Sequence, residues 1–265
     1  MKKIIAMLAV AAMLLTSCGS VPITGRKQLN LVSDSEVLAS SLQQYNSFMQ
    51  TATVSTQKTQ SAMVTRVGQR IAAATEAYLK YAGLESELQN FAWEFNLVRS
   101  DEVNAWCMPG GKIVVYEGIM NLVGSDDELA VVIGHEVAHA VAKHSNERLS
   151  QELLAQYGAS ALGILTSGKS AATQQILQQV YGLGAQYGVM QPFSRKHESE
   201  ADKMGLVLMT IAGYNPEKAI TFWQKMQATS SNTTPEFMSS HPSHETRISD
   251  IKKWLPEVKQ QYGTN

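Results

Sequence analysis

The segment His135-Glu136-Val137-Ala138-His139 sets two imidazoles four residues apart. On a helix that spacing leaves them about 40° apart on one face, where both can hold a single Zn²⁺ from the same side. Glu136 projects beside them, placed to take a proton from a metal-activated water and later return it to a leaving amine. The chemistry expected is peptide-bond hydrolysis with one Zn²⁺ per chain. Chance alone gives H-E-x-x-H in about one chain in a hundred of this composition. Its setting makes it less accidental still. Ser125 and Glu128 have the spacing of a capping box, Asp126 and Asp127 complement the positive end of the helix, and Leu129 to Ile133 is apolar.

Zinc in a hydrolase takes a third protein ligand and keeps one position open. The candidates are His144, His197, Glu198, Glu200, His241 and His244. His144 lies nine residues beyond His135, about 180° round a continuous helix, and is expected to face away. A third histidine six residues after His139 is missing, since Ser145 stands there. A distant carboxylate is then the default. Glu198 and Asp202 are four apart and share a helix face, whereas Glu200 sits about 200° round from Glu198. Glu198 is therefore expected to ligate and Asp202 to orient a ligand histidine. Glu200 stays the main rival, and His197 and His244 read as surface.

The pairing of H-E-V-A-H with Ser194-Arg-x-x-Glu198-x-Glu200-Ala-Asp202-x-x-Gly205 resembles the CaaX-prenyl-protease type of zinc metallopeptidase. Asn104-Ala105-Trp106-Cys107-Met108-Pro109-Gly110, Gly213-Tyr-Asn-Pro216 and His241-Pro242-Ser-His-Glu-Thr-Arg247-Ile248 are similar to that family too. The likeness is nearest to its compact bacterial lipoprotein members. It implies a zincin-like (gluzincin) fold with Glu198, the first acid of E-x-x-x-D, as third ligand. It also implies that His241 can approach the metal and hold the enzyme quiescent.

Other roles follow from chemistry. His241 and Arg247 can donate to the oxyanion that forms when water attacks the carbonyl. The strand through Asn104, Ala105 and Trp106 is expected to be a sheet edge lining the cleft, where an extended peptide can pair. Cys107, between Trp106 and Met108, reads as a small buried hydrophobe.

These residues need elements to position them. Asp34 to about Gln50 and Met63 to Tyr81 have helical periodicity, the second stopped by Gly83, with a loop over 51–61. Phe91 to Val98 alternates as a strand. Ala105–Met108, Pro109-Gly110-Gly111 and Lys112–Tyr116 read as strand, turn, strand. Nearly everything after Gly118 is helical in pattern. The fold class expected is α+β, mostly helical, with a small sheet. Residues 150–191 are rich in Ala, Gln and Gly and are expected to flank the cleft.

The start of the chain reads as an address. Met1-Lys2-Lys3 is basic, Ile4 to Leu15 is an apolar run too short to span a bilayer, and Leu15-Thr-Ser-Cys18 resembles a lipobox. The expected organisation is a signal peptide over 1–17, a lipid-anchored tether over 18–33 and one zinc metallopeptidase domain over 34–265. Lipidated Cys18 would be the membrane anchor. Gly19 after it favours the periplasmic face of the outer membrane of a Gram-negative bacterium. A formal charge of −1 excludes a nucleic-acid binder working by bulk positive charge. The expected partners are therefore polypeptides, namely misfolded or unassembled envelope proteins. The alternative is an outer-membrane protein assembly factor whose protease is largely silent.

Overall fold

The helix that carries His135 and His139 is buried on nearly every side. In the computed structural model, which describes residues 18–157, 193–229, 236–241 and 246–263, it is buried from Glu128 to His139. Numbered in chain order, the strands are β1 (Cys18–Ser20), β2 (Lys27–Leu29), β3 (Glu94–Val98), β4 (Ala105–Met108) and β5 (Lys112–Tyr116). The helices are α1 (Asp34–Thr51), α2 (Lys58–Tyr81), α3 (Glu117–Met120), α4 (Asp126–Val141) and α5 (His144–Tyr157). They continue with α6 (Arg195–Ile211), α7 (Lys218–Thr229), α8 (Glu236–Ser240) and α9 (Arg247–Tyr262).

α4 starts where its capping residues place it: the Ser125 hydroxyl accepts from the Glu128 amide at 3.3 Å, and three acids fill the first turn. Being apolar all round, it can be stable only as a central helix. α2, α6 and α7 enclose it, and Leu129, Val132, Ile133 and Val137 are fully buried among them. Burying such a side chain stabilises the fold by about 1.5–3 kcal/mol.

α6 lies closest, because both helices have glycine at the crossing. A Cβ on Gly134 would stand 3.1 Å from the Gly205 carbonyl oxygen, and one on Gly205 would stand 3.0 Å from the His135 nitrogen. This contact brings the two motif helices into register.

The sheet has the order β3-β5-β4, with β3 parallel and β4 antiparallel to β5. The β4–β5 turn needs glycine at two places: Gly110 and Gly111 have φ of +93° and +79°. β4 is thus an edge of the sheet, as expected for the strand through Asn104, Ala105 and Trp106. Its four residues are nevertheless buried, and Trp106 packs edge-on against Phe48 and Tyr45 of α1 at 5.0 and 6.4 Å.

Four boundaries differ from expectation. The loop after α1 is shorter, because α2 begins at Lys58 instead of Met63. The strand expected over Phe91–Val98 begins at Glu94, since a 3₁₀ turn over Glu85–Asn90 ends at Phe91. The helix through His139 stops at Val141. Lys143 there adopts φ +53°, held by ion pairs to Asp34 (2.7 Å) and Glu87 (2.8 Å), and a new helix begins at His144.

The fourth difference concerns residues 18–33, which are built into the domain and do not trail from it as a tether. β1 and β2 pair antiparallel, Val21 and Val32 are each 2% exposed, and the Gln28 amide donates to the Ala142 carbonyl at 2.6 Å. Residues 1–17, expected to be a signal peptide, and most of the Ala/Gln/Gly-rich segment lie outside the described residues. No helix among the described residues is long and apolar enough to cross a membrane.

Candidate active site

α4 and α6 cross so that the His135 and His139 rings face Glu198. His135 Nε2 and His139 Nε2 are 3.1 Å apart, and the two Glu198 oxygens lie 3.4 and 3.3 Å from them. His241, at the end of α8, joins from the other side, its Nδ1 3.1 Å from Glu198 Oε1 and 3.3 Å from His135 Nε2. Ligand atoms of these four residues all lie within 4.8 Å of one another, and all four are buried. Two imidazoles and a carboxylate with converging lone pairs are the donor set of a hydrolytic zinc site. The group fits that ion.

The remote ring nitrogens are fixed as ligand histidines require. His135 Nδ1 donates to Asp202 Oδ1 at 2.9 Å. Asp202 Oδ2 in turn accepts from Arg247 Nε at 2.7 Å. His139 Nδ1 lies 2.9 Å from His144 Nδ1, and His139 stacks on Phe193 at 4.1 Å. Burial pulls the His135 pKa down, but Asp202 and Glu198 outweigh it and carry it up to about 9. Burial also raises Glu198, yet His241, His135 and His139 hold it well below the ordinary carboxylate range.

Glu136 follows His135 on α4 and points at β4. Its Oε2 accepts the Cys107 backbone N–H at 3.2 Å. His241 Nε2 lies 3.3 Å from the other oxygen but out of line, so Glu136 Oε1 is buried without a hydrogen bond. An orphaned carboxylate oxygen is costly in a purely structural role. Burial, only partly offset by His241 and His135, raises the Glu136 pKa.

Arg247 differs from its expected role as an oxyanion donor. It is fully buried, donates from Nη2 to Glu198 at 2.6 Å and from Nε to Asp202, and stacks 3.9 Å over Trp223. Its forked guanidinium holds two carboxylates instead. β4 does reach the site. Register pairs Trp106 with Val114, so the N–H groups of Ala105 and Cys107 face away from β5. The Ala105 N–H is taken by the Asn104 side chain at 2.9 Å and the Cys107 N–H by Glu136. Asn104 and Ala105 are buried.

Two further expectations are corrected, and a rival is placed elsewhere. His144 faces His139 because α4 ends at Val141, which voids the extrapolation round a continuous helix. His197 is 3% exposed and bonded to Glu147 at 3.1 Å. Glu200, the rival ligand, turns away from the cluster to His144 and Arg26. His244 lies outside the described residues. The sequence reading missed Arg26, Glu147 and the Cys107 amide altogether. A polar run starting at Lys143-His144-Ser145-Asn146 was the signal that α4 had stopped.

Fold and site together define a zinc metallopeptidase of the zincin type: a helix bearing H-E-x-x-H, a second helix bearing the carboxylate, and a small sheet beside them. Residues 58–255 match Peptidase family M48, and the chain belongs to that family. It is 36% identical over 182 residues to the mitochondrial metalloendopeptidase OMA1 of Schizosaccharomyces pombe, covering 68% of this chain and 52% of that protein. The human metalloendopeptidase OMA1 is 29% identical over 246 residues, 89% of this chain and 46% of its own length. The beta-barrel assembly-enhancing protease of Escherichia coli (strain K12) is 27% identical over 173 residues, 63% of this chain and 35% of its own. The chain thus spans about half the length of these two OMA1 relatives, and less of the last.

Proposed function

We propose that this chain is a zinc endopeptidase of the bacterial envelope, cutting misfolded or unassembled envelope proteins. On this reading it is a compact lipoprotein member of the CaaX-prenyl-protease type, anchored through Cys18 at the periplasmic face of the outer membrane. The observation that carries the catalytic part is Glu136 Oε1, a buried carboxylate oxygen without a hydrogen bond beside converging His135, His139 and Glu198. The export-signal pattern, and likeness to a bacterial protease named for β-barrel assembly, support the envelope part.

His135, His139 and Glu198 would hold Zn²⁺, which supplies Lewis acidity to the scissile carbonyl and acidifies water. Glu136 Oε1 accepts the proton of the attacking water and passes it to the departing amine nitrogen. The Cys107 N–H on Oε2 keeps the carboxylate turned so that Oε1 faces the reaction. His241, with Nδ1 on Glu198 and Nε2 3.3 Å from Glu136 Oε1, would donate from Nε2 to the oxyanion. Arg247 and Asp202 hold Glu198 and His135 in place. An extended substrate would pair along Ala105 to Cys107, displacing whatever covers that edge.

The test is Glu136→Gln in the full chain, assayed on unfolded casein with zinc content measured alongside. Cleavage should fall at least 1,000-fold, roughly the share of proton transfer and its positioning, while zinc is retained. Equal cleavage by variant and parent would overturn the mechanism. A second reading, an assembly factor with its protease largely silent, draws on the burial of Glu136 and His139 at 2% and 3% exposure. Full rescue of an outer-membrane assembly defect by the cleavage-dead variant would favour it.

A further inference from the structure

His135 and His139 are steadied in different ways. At the Nδ1 nitrogen, remote from Glu198, His135 meets a carboxylate directly, whereas His139 meets one only through a second imidazole. His139 Nδ1 lies 2.9 Å from His144 Nδ1, and His144 Nε2 lies 3.0 Å from Glu200 Oε2. Arg26 donates from Nε to the same Glu200 oxygen at 2.7 Å, and the Thr24 hydroxyl donates to Oε1. Arg26 also forks onto Glu147, at 2.8 and 2.6 Å. His144 is fully buried and Glu200 is 7% exposed.

Geometry and metal ligation by His139 together assign the protons. Two facing Nδ1 atoms cannot both carry hydrogen at 2.9 Å. A ligand histidine binds metal through a bare Nε2, so His139 must carry its proton on Nδ1. His144 then accepts at Nδ1 and is protonated at Nε2, which is the nitrogen aimed at Glu200. Thr24 and Arg26 keep that carboxylate ionised and turned toward His144. Both shells end in an arginine: Arg247 behind Asp202, and Arg26 behind Glu200.

We propose that His144, Glu200 and Arg26 are positioning residues for His139, so that the segment over 18–33 forms part of the metal site. The inference rests on reading His139 as a zinc ligand. It assigns a function to a chain segment that precedes the first helix and carries none of the catalytic motifs.

The test is zinc affinity of the full chain by chelator competition, with the ring-nitrogen NMR signals of His139 as a second readout. His144→Phe should weaken zinc binding about 10- to 100-fold and shift the His139 Nδ1–H signal or abolish it. His144→Asn should recover most of the affinity, because its side-chain oxygen can accept where Nδ1 did. Glu200→Gln and Arg26→Ala should each lose roughly three- to tenfold, acting one and two links further out. They decide the matter if His144→Phe does not fold. Zinc affinity within twofold of the parent in these variants, with the His139 signal unmoved, would overturn the proposal, provided a His139→Ala control loses zinc. If that control keeps full affinity, the ligand reading itself fails and the relay falls with it.

Discussion

Gly134 and Gly205 touch where α4 crosses α6, with the Gly205 Cα 3.5 Å from where a Cβ on Gly134 would be. Gly134 directly precedes His135, and Gly205 lies about two turns after Glu198 on its helix, so the crossing fixes how far Glu198 stands from His135 and His139. Gly205→Ala would press a methyl to 3.0 Å from the His135 backbone nitrogen, where only backbone can yield. We expect a stability loss of about 1–3 kcal/mol, as for an overpacked core. Cleavage should fall by more than the folded fraction accounts for, as Glu198 moves off its ligand position. Thermal unfolding and casein cleavage, measured together, check both.

Arg247 is the one arginine or lysine among the described residues that touches both Glu198 and Asp202, and it is fully buried. Arg247→Met leaves two carboxylates buried without it. Removing one partner of a buried pair costs about 3–5 kcal/mol. The loss should be larger in EDTA than in excess zinc, because a bound cation neutralises Glu198. Denaturant unfolding with and without zinc reads the difference. Equal losses would show that Glu198 is not facing the metal.

Much of this site was legible because it rests on local helix geometry. H-E-x-x-H and the Glu198/Asp202 pair each depend on i, i+4 spacing within one helix, and the Ser125 cap fixes where α4 starts. What was not legible depends on where helices end and on which distant groups meet. Extrapolating α4 past Lys143 turned His144 the wrong way. Nothing in the Lys143 residue type announces φ +53°, since the turn is imposed by two ion pairs from Asp34 and Glu87, far away in the chain. Arg26 was hidden for the same reason. A short polar stretch after an apolar N-terminal run looks like a tether until Glu147 and Glu200 supply its partners, 121 and 174 residues on.

That Arg26 cluster gives a pH prediction. Burial raises the Glu147 pKa, but hydrogen bonds from His197 and Arg26 and their charges outweigh it and take it down to about 2. A carboxylate with a depressed folded pKa contributes stability that is present above the unfolded value near 4.5 and is lost as pH falls towards 2. Stability in EDTA, where metal release plays no part, should therefore drop across that window. Glu147→Gln should be less stable at neutral pH and show a shallower drop. Denaturant midpoints between pH 2 and pH 6 test the slope, and an unchanged slope would remove Glu147 from the account.

Cys107 separates a backbone role from a side-chain one. Its N–H holds Glu136 Oε2 at 3.2 Å, while its thiol is buried against the Met108 carbonyl, 3.4 Å away. Burial, reinforced by the Glu136 charge, pushes the thiol well above its ordinary pKa, so it is a poor nucleophile. Cys107→Ala removes only the sulfur. It should lower stability by about 1 kcal/mol through the small cavity left, and keep cleavage within about twofold. The folded parent should also resist iodoacetamide at neutral pH and react only after unfolding. Cys107→Pro deletes the N–H and should release Glu136, with cleavage lost well beyond any loss of folded protein. If Cys107→Ala abolished cleavage while remaining folded and zinc-loaded, the sulfur would have to take part in the chemistry, and the backbone would no longer explain how Glu136 is held.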